Sequence, residues 1–373
     1  MPIRVLYLHH VERISGAEQS LRLLFRHLDR DHVLPHFAGP GAGPFPSVIA
    51  QDGIPVFPVS FGPLRNIHGL VRSVRQVLRL IREHHIDLLH ANGPQTNLCA
   101  GLAGRLSHTA VVWHERNLLY GTMRDVDRLL ARLATRIICN SDAIRKRFHS
   151  SGAWAKSVTI LNAVDTTEFN PEIPREPFRR GLQIAPEVSA VGIVGRIGLG
   201  KGHDHFVEAA IQLLRAGSPA QFLIIGDSLF PEDAWRTDML RYRVKDAGLE
   251  DRIKFVGFRP DIPSVMRGLD VLVLASDAEP CGRVLFEAMA SGTAIVATKS
   301  GGTPEIVRDE QEGLLVPPRD PYALAGAISR LIEDPSLRTR LGRAGLARVR
   351  SEFTIEQHVA RTLEVYDAAL YRS

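Results

Sequence analysis

Cysteine is scarce in this chain of 373 residues: only Cys99, Cys139 and Cys281, far apart, with no CxxC pair and no Cys/His spacing of a ligand set. That excludes a disulfide scaffold and a structural zinc site, and it fits a reducing compartment. Aromatics make up 6% of the chain, and the basic half carries no stacking platform of interleaved rings, so nucleic acid is not the expected partner. Long apolar runs are missing too. The longest stretch without Asp, Glu, Lys or Arg, His32 to Gln51, contains Pro35, Pro40, Pro44 and Pro46 and cannot form a spanning helix. Residues 1–10 hold one Arg and a short apolar run, Val5 to Leu8, which reads as a buried strand and not as a signal peptide. The expectation is a soluble cytoplasmic protein, at most peripheral on the inner face of a membrane.

What remains is globular: 45% hydrophobic and 23% charged residues, enough for two domains, each with its own core. The net charge of +5 hides an asymmetry. Residues 1–180 hold 23 Lys+Arg against 15 Asp+Glu and 12 of the 15 His, whereas the second half is net acidic. A basic half suits phosphates or an anionic surface; with 40 Arg against 6 Lys, Arg-rich codon usage explains it equally well.

Short β-branched runs alternate with amphipathic helical stretches. They are Ile3–Leu8, Val33–Ala38, Val56–Val59, Asp87–His90, Ala110–Trp113, Arg136–Cys139 and Val158–Leu161, then Val191–Gly195, Gln221–Ile225, Ile253–Val256, Val271–Leu274, Ala294–Ala297 and Leu314–Val316. Continuous apolar runs of this length read as parallel strands covered on both faces, and the helices between them make doubly wound α/β sheets. Asp165–Pro186, with four prolines and no periodicity, reads as a linker. The expected domains are 1–168, a linker 169–187, and 188–354, with a last helix in 355–373. Ligands of such sheets bind beyond the carboxyl ends of the strands, so two facing sheets would share a central cleft.

The loops at those strand ends carry the candidate chemistry. Gly195-Arg196-Ile197-Gly198-Leu199-Gly200-Lys201-Gly202 follows a strand and opens a helix near His203. Glycines allow close backbone approach, the helix N-terminus favours an anion, and Arg196 and Lys201 add two cations. The segment reads as a phosphate cradle without being a Walker A loop. Ala275 to Arg283 follows another strand, with Glu279 in the loop and Glu287 in the next helix. Carboxylates beside the backbone N–H groups of Cys281, Gly282 and Arg283 suit a polyol. The alternative is that Glu279 caps the helix and Glu287 is solvated. Gly301-Gly302-Thr303-Pro304-Glu305 is a second Gly-rich entry to a helix on the neighbouring strand.

Glu279-Pro-x-Gly-Arg-Val-Leu-Phe-Glu287, Gly301-Gly-Thr-Pro-Glu305 and Gly313-Leu-Leu-Val-Pro resemble the donor-domain signature of the retaining GT-B glycosyltransferases of family 4. Gly195-Arg196-x4-Lys201-Gly202 has the family's spacing. Ser15-Gly16-Ala17-Glu18, His114 after the fifth strand, Cys139-Asn140-Ser141 and Asn162-Ala163-Val164-Asp165 resemble its first half. The resemblance implies two Rossmann-like domains: an acceptor-binding first domain, to which the last helix crosses back, and a nucleotide-sugar-binding second domain. It implies transfer of a hexose or N-acetylhexosamine, with retention, from a UDP-sugar first or GDP-mannose second, to a sugar, lipid-linked or small-molecule acceptor. Arg196 and Lys201 would hold the diphosphate and neutralise the leaving group, and the Gly16 backbone would close over the same phosphates. Glu287 would take the ribose hydroxyls. Glu279, with the N–H groups of Cys281, Gly282 and Arg283, would hold the transferred sugar. His114 would contact the sugar or line the acceptor face. No protein base is required, because the departing phosphate oxygen can take the acceptor's proton.

Three positions depart from the family pattern. Ser15 and Ala163 replace glycines, which constrains the backbone there, and Cys281 replaces a bulkier residue. Asp29-Arg30-Asp31 and Asp125-Val126-Asp127 spell DxD, but both read as solvated charges. With Arg196 and Lys201 present, no metal or other cofactor is expected. Arg72, Arg75, Arg79 and Arg82 share one face of Leu70–Arg82 and an apolar stripe the other; Arg116–Arg124, with Arg128, Arg132 and Arg136 behind it, is the other basic stretch. Either suits an anionic membrane, or else the stripe packs on the sheet and the arginines are solvated. Competing readings are a nucleotide-sugar epimerase or a phosphorylase on the same frame, and a catalytically silent sugar-nucleotide sensor.

Overall fold

The computed structural model describes residues 2–63, 65–118 and 125–371. The strands are β1 (Ile3–Leu8), β2 (Val33–Gly39), β3 (Val56–Pro58), β4 (Leu88–Asn92), β5 (Ala110–Glu115), β6 (Arg136–Cys139) and β7 (Ser157–Thr159), then β8 (Ala190–Val194), β9 (Gln221–Ile225), β10 (Ile253–Gly257), β11 (Val271–Leu274), β12 (Ala294–Thr298) and β13 (Leu314–Val316). They form two sheets, ordered β3-β2-β1-β4-β5-β6-β7 and β10-β9-β8-β11-β12-β13. Every strand pairing in them is parallel. In each, the first strand starts mid-sheet, the next two build outward, and the chain then crosses to the other side. The order therefore reverses between β1 and β4 and between β8 and β11, the places where doubly wound sheets bind ligands.

The continuous apolar runs are explained by burial on both faces. In the first sheet Leu6, Leu8, Leu89, Ala91, Val111 and Trp113 pack with Val74, Val77, Leu80 and Ile81 of helix Ile67–Glu83 and with Ala100 and Ala103 of helix Pro94–Ser107. Their neighbours Val5, Tyr7, Leu88, Val112 and Ile138 face the other way, onto Leu21, Leu24 and Phe25 and onto Ile355, Val359 and Tyr366. The expected strands all form. β4 and β5 run two residues farther than the apolar pattern marks, because Asn92, His114 and Glu115 are buried polar residues that continue the strands.

The chain divides into two compact units: Met1–Ala163 with Ile355–Ser373, and Val164–Thr354. Helix Ile355–Leu370 belongs to the first, where its Tyr366 hydroxyl meets that of Tyr7 at 2.8 Å. The segment expected as a linker belongs to the second unit. Arg179, buried, donates to the carbonyls of Gly268 (3.2 Å), Ala185 (2.8 Å) and Val188 and to Asp270 (2.9 Å). A single arginine with that many acceptors fixes a proline-rich stretch that has no periodicity of its own.

Candidate functional site

In the second unit the loop after β8 lies against the loop after β11. Gly202 has φ +72°, and a Cβ there would sit 1.9 Å from the Ala275 carbonyl oxygen, so only glycine fits. The Asp277 N–H donates to the Gly200 carbonyl at 2.9 Å and ties the two loops together. This contact brings Lys201 to Glu279: Nζ lies 2.8 Å from Oε2, and the Ser276 hydroxyl donates to the same oxygen at 3.0 Å. Glu279 is buried and caps nothing; helix Arg283–Ala290 begins at Gly282 with no side-chain cap.

The second Gly-rich loop sets the Glu279 backbone. Gly302 N–H donates to the Glu279 carbonyl at 2.8 Å. A Cβ on Gly301 would come within 2.1 Å of that oxygen, at φ +55°. Glu287 is also buried, not solvated, and its Oε1 accepts from Arg283 Nη2 at 2.5 Å and Nε at 3.2 Å. Cys281 is buried beside Gly282. Arg196 stands apart from these pairs: its Nη1 donates to Asp233 at 2.8 Å, and its guanidinium lies 5.1 Å from the Phe230 ring centre. No motif in the sequence marks Asp233 or Phe230; they reach the site because the segment after β9, on the other side of β8, folds over the same edge.

In the first unit, Gly16 opens helix Gly16–His27 directly after the β1 loop. Ser15, a departure from the family pattern, takes an extended conformation (φ −132°) as the N-cap residue, so it needs no glycine. Its N–H and hydroxyl both donate to Glu18, at 2.9 and 2.5 Å, while Glu18 meets His9 at 2.8 Å. Burial pushes the Glu18 carboxyl up, but the His9 and Ser15 hydrogen bonds outweigh it and bring it down to about 2. Ala163 likewise stays outside the left-handed region.

His114, fully buried at the carboxyl end of β5, accepts at Nδ1 from Arg116 Nη2 (3.1 Å) and lies 3.2 Å from His90 Nε2. Arg116 also reaches Asn92 (3.3 Å) and Asn162 (3.4 Å). Burial, then the Arg116 charge, holds the His114 imidazole well below its ordinary value.

The second DxD is corrected by the structure. Asp127 is buried and accepts from Asn97 at 3.2 Å; Asp125 pairs with Arg147 at 2.7 Å, and Arg147 also holds Glu115 at 3.0 Å. The pair belongs to a cluster built around one arginine. Asp29 of the first DxD is exposed and bonds His32, as expected for a surface charge. Among the described residues no group of three or more His, Cys, Asp or Glu could hold a metal ion.

The apolar stripe of helix Ile67–Glu83 packs into the core through Val74, Val77, Leu80 and Ile81, while Arg72, Arg75, Arg79 and Arg82 are exposed; Val71 is exposed as well. Of the Arg116–Arg124 stretch, residues 119–124 lie outside the described residues. Among the described residues no helix is long and apolar enough to cross a membrane. A groove of about 1170 Å³ at the amino ends of β4 to β6, lined in part by Arg105, His108 and by Arg132 of the second basic stretch, contains none of the predicted donor-binding or catalytic residues.

Known proteins match the whole frame. Residues 14–168 match the family Glycosyltransferase Family 4, and residues 174–348 match Glycosyl transferases group 1. The lipopolysaccharide core biosynthesis mannosyltransferase LpsB of Rhizobium meliloti is 31% identical over 69% of this chain and 80% of its own length. The 2-deoxystreptamine glucosyltransferase of Streptomyces kanamyceticus is 32% identical over 81% and 82%. The crystal structure of Anabaena Alr3699/HepE in complex with UDP and glucose superposes with a TM-score of 0.87 at 26% identity, covering 98% of this chain and 100% of that one. Two doubly wound parallel sheets with their glycine-rich loops at the switch points, together with family matches on both halves, make this chain a GT-B glycosyltransferase of the group 1/family 4 kind.

Proposed function

We propose that the protein transfers a hexose from a UDP-sugar to a hydroxyl of a cell-envelope glycan, glycolipid or small molecule, with retention of anomeric configuration. The observation that carries this reading is the resting state of the two cations at the β8 edge. Lys201 and Arg196 are held by carboxylates, Glu279 and Asp233, at 2.8 Å each. A diphosphate offers more acceptor oxygens and more charge than either carboxylate, so it would take over these cations and leave Glu279 to accept from sugar hydroxyls. The charge on the departing diphosphate grows as the glycosidic bond breaks, so Arg196 and Lys201 stabilise the transition state more than the bound donor. Glu287 keeps one oxygen on Arg283 and offers the other to the ribose. The N–H groups of Cys281, Gly282 and Arg283 serve the transferred sugar. Two fixed cations make a divalent metal unnecessary in this scheme, so chelation should leave turnover unchanged. The UDP-glucose complex of HepE supports the choice of donor; the mannosyltransferase relatives make GDP-mannose the second choice.

The test is donor hydrolysis and transfer with UDP-glucose, UDP-N-acetylglucosamine and GDP-mannose, each with and without chelator, the product anomer being read by NMR. An inverted product would end the retention reading. Full activity in Lys201→Ala and Arg196→Ala would end the site assignment.

A further inference from the structure

The two cations at the β8 edge are held in different ways. Glu279, the partner of Lys201, belongs to the loop that meets the sugar in the reading above. Asp233, the partner of Arg196, lies in a separate segment, the short turn Pro231–Asp233 that follows β9. Two contacts press that segment onto the β8 loop. The Ile197 N–H donates to the Asp227 carbonyl at 3.0 Å. Gly226, at φ +130°, has the Gly195 carbonyl oxygen where a Cβ would stand. Gly198 leaves room for the ion pair itself: its φ lies outside the left-handed region, but a Cβ there would run into Arg196 Nη1 and stand 2.9 Å from Asp233 Oδ2.

Asp233 is the residue before helix Ala234–Asp246, a place where aspartate commonly caps the helix, yet its side chain caps nothing. Both oxygens go to arginines instead: Oδ2 accepts from Arg196 Nη1 at 2.8 Å and Oδ1 from Arg236 Nε at 3.0 Å. The carboxylate is therefore held twice. Losing Arg196 leaves it with Arg236 and with the positive end of its helix, so no buried charge is stranded. The Arg196 side chain is 31% exposed against 11% for Asp233, so Arg196 is the side of the pair that an anion from solvent can reach. The anchored carboxylate and a ligand's phosphate thus contend for one detachable cation.

We propose that Asp233 is a built-in competitor of the donor's diphosphate for Arg196, which weakens the hold on the nucleoside diphosphate product and so eases its release after transfer. The proposal rests on the diphosphate reading of Arg196 given above. Each molecule bound through Arg196 must first displace Asp233, and when the product leaves, Asp233 re-forms the pair. The free nucleoside diphosphate carries the whole charge of the departed leaving group, so its binding reads this competition most directly. A carboxylate that instead kept its hydrogen bond, and aimed the remaining N–H groups of Arg196 at the phosphates, would strengthen that binding. The two roles therefore differ in sign.

Calorimetric titration with UDP and with GDP decides between them. Asp233→Asn removes the charge and keeps an oxygen for Arg196; Asp233→Ser removes the reach as well. Each, once a thermal melt shows it folded, should bind the nucleotide about fivefold more tightly than the wild type, the size of one partly exposed ion pair. Arg196→Ala should bind it about tenfold more weakly. Adding Asp233→Asn to Arg196→Ala should then shift the affinity by less than about twofold, because the competition runs through Arg196. Unchanged or weaker binding in either folded Asp233 variant overturns the proposal. So does the full fivefold gain in the Arg196→Ala background, which would be plain charge repulsion. If the wild type binds neither nucleotide, or Arg196→Ala binds as the wild type does, the diphosphate reading has failed and this proposal falls with it. If Arg196→Ala weakens binding while the Asp233 variants do not tighten it, only the competitor role has failed.

Discussion

At the scale of single residues, the second unit's site consists of charges that neutralise one another. Glu287→Ala removes a carboxylate expected to take the ribose hydroxyls. Charge-assisted hydrogen bonds of roughly 1.5–3 kcal/mol correspond to a loss on the order of 10–150-fold in kcat/KM. The same change leaves Arg283, mostly buried, without its partner, so the melting temperature should fall as well. Arg196→Ala should act differently: its charge matters most as the bond breaks, so kcat at saturating donor should fall while the donor KM changes less. Steady-state kinetics on both variants checks the contrast, and a KM effect alone in Arg196→Ala would mean that the arginine only binds. The sequence discloses Arg196, Lys201, Glu279 and Glu287 because glycine spacing marks the loops that carry them. It does not disclose Asp233, Asp277 or the Arg147 cluster, because pairing across loops has no period along the chain.

At the scale of elements, the strands can be read from their apolar runs, most plainly in the central strands, where burial on both faces leaves a continuous apolar signature; the edge strands β3 and β10 are only half-buried. Strand ends were less legible wherever the last residues are polar yet buried, as in β4 and β5. Asp165–Pro186 has no periodicity of its own, and packing through Arg179 ties it to the second unit. The glycine-rich loops act as spacers, which gives a test. Gly301→Ala forces a Cβ toward the Glu279 carbonyl at a left-handed φ. It should cost about 1–3 kcal/mol of stability and lower activity further by displacing Glu279. Gly326 in helix Pro321–Glu333 is exposed, with nothing within 4 Å of a built Cβ. Gly326→Ala should therefore stabilise by about 0.5–1 kcal/mol and leave activity unchanged. Urea melts of both variants check the pair; destabilisation by Gly326→Ala of the same size would mean that the loop position is not special.

At the scale of the whole molecule, the buried histidines make stability depend on acid. Burial first, and then nearby cations, lower His90 to about 3 and His203 to about 4, and burial with Arg116 lowers His358 to about 4. Well above about pH 6.5 such a group is neutral in both the folded and the unfolded chain and contributes nothing to pH dependence. Below that, the unfolded chain takes up protons that the folded chain cannot, and stability falls until the folded values are reached. Between about pH 6.5 and about pH 5.5 each histidine costs roughly 1 kcal/mol. Glu115 works in the opposite sense, because burial and Asp127 push its carboxyl up and it keeps a proton that the unfolded chain gives away. Burial also lowers His10 to about 4 and holds His114 well below its ordinary value, so five such histidines set against Glu115 make the net loss across that interval roughly 4 kcal/mol, read as a lower urea midpoint at the more acid pH. His358 offers the control. Its Nδ1 bonds the Leu161 carbonyl at 2.9 Å, a bond that a glutamine amide can replace without titrating. His358→Gln should therefore remove about 1 kcal/mol of the acid loss while changing stability little near neutral pH. If wild type and variant lose the same stability on acidification, His358 is not held neutral by the fold, and the origin of the acid sensitivity lies elsewhere.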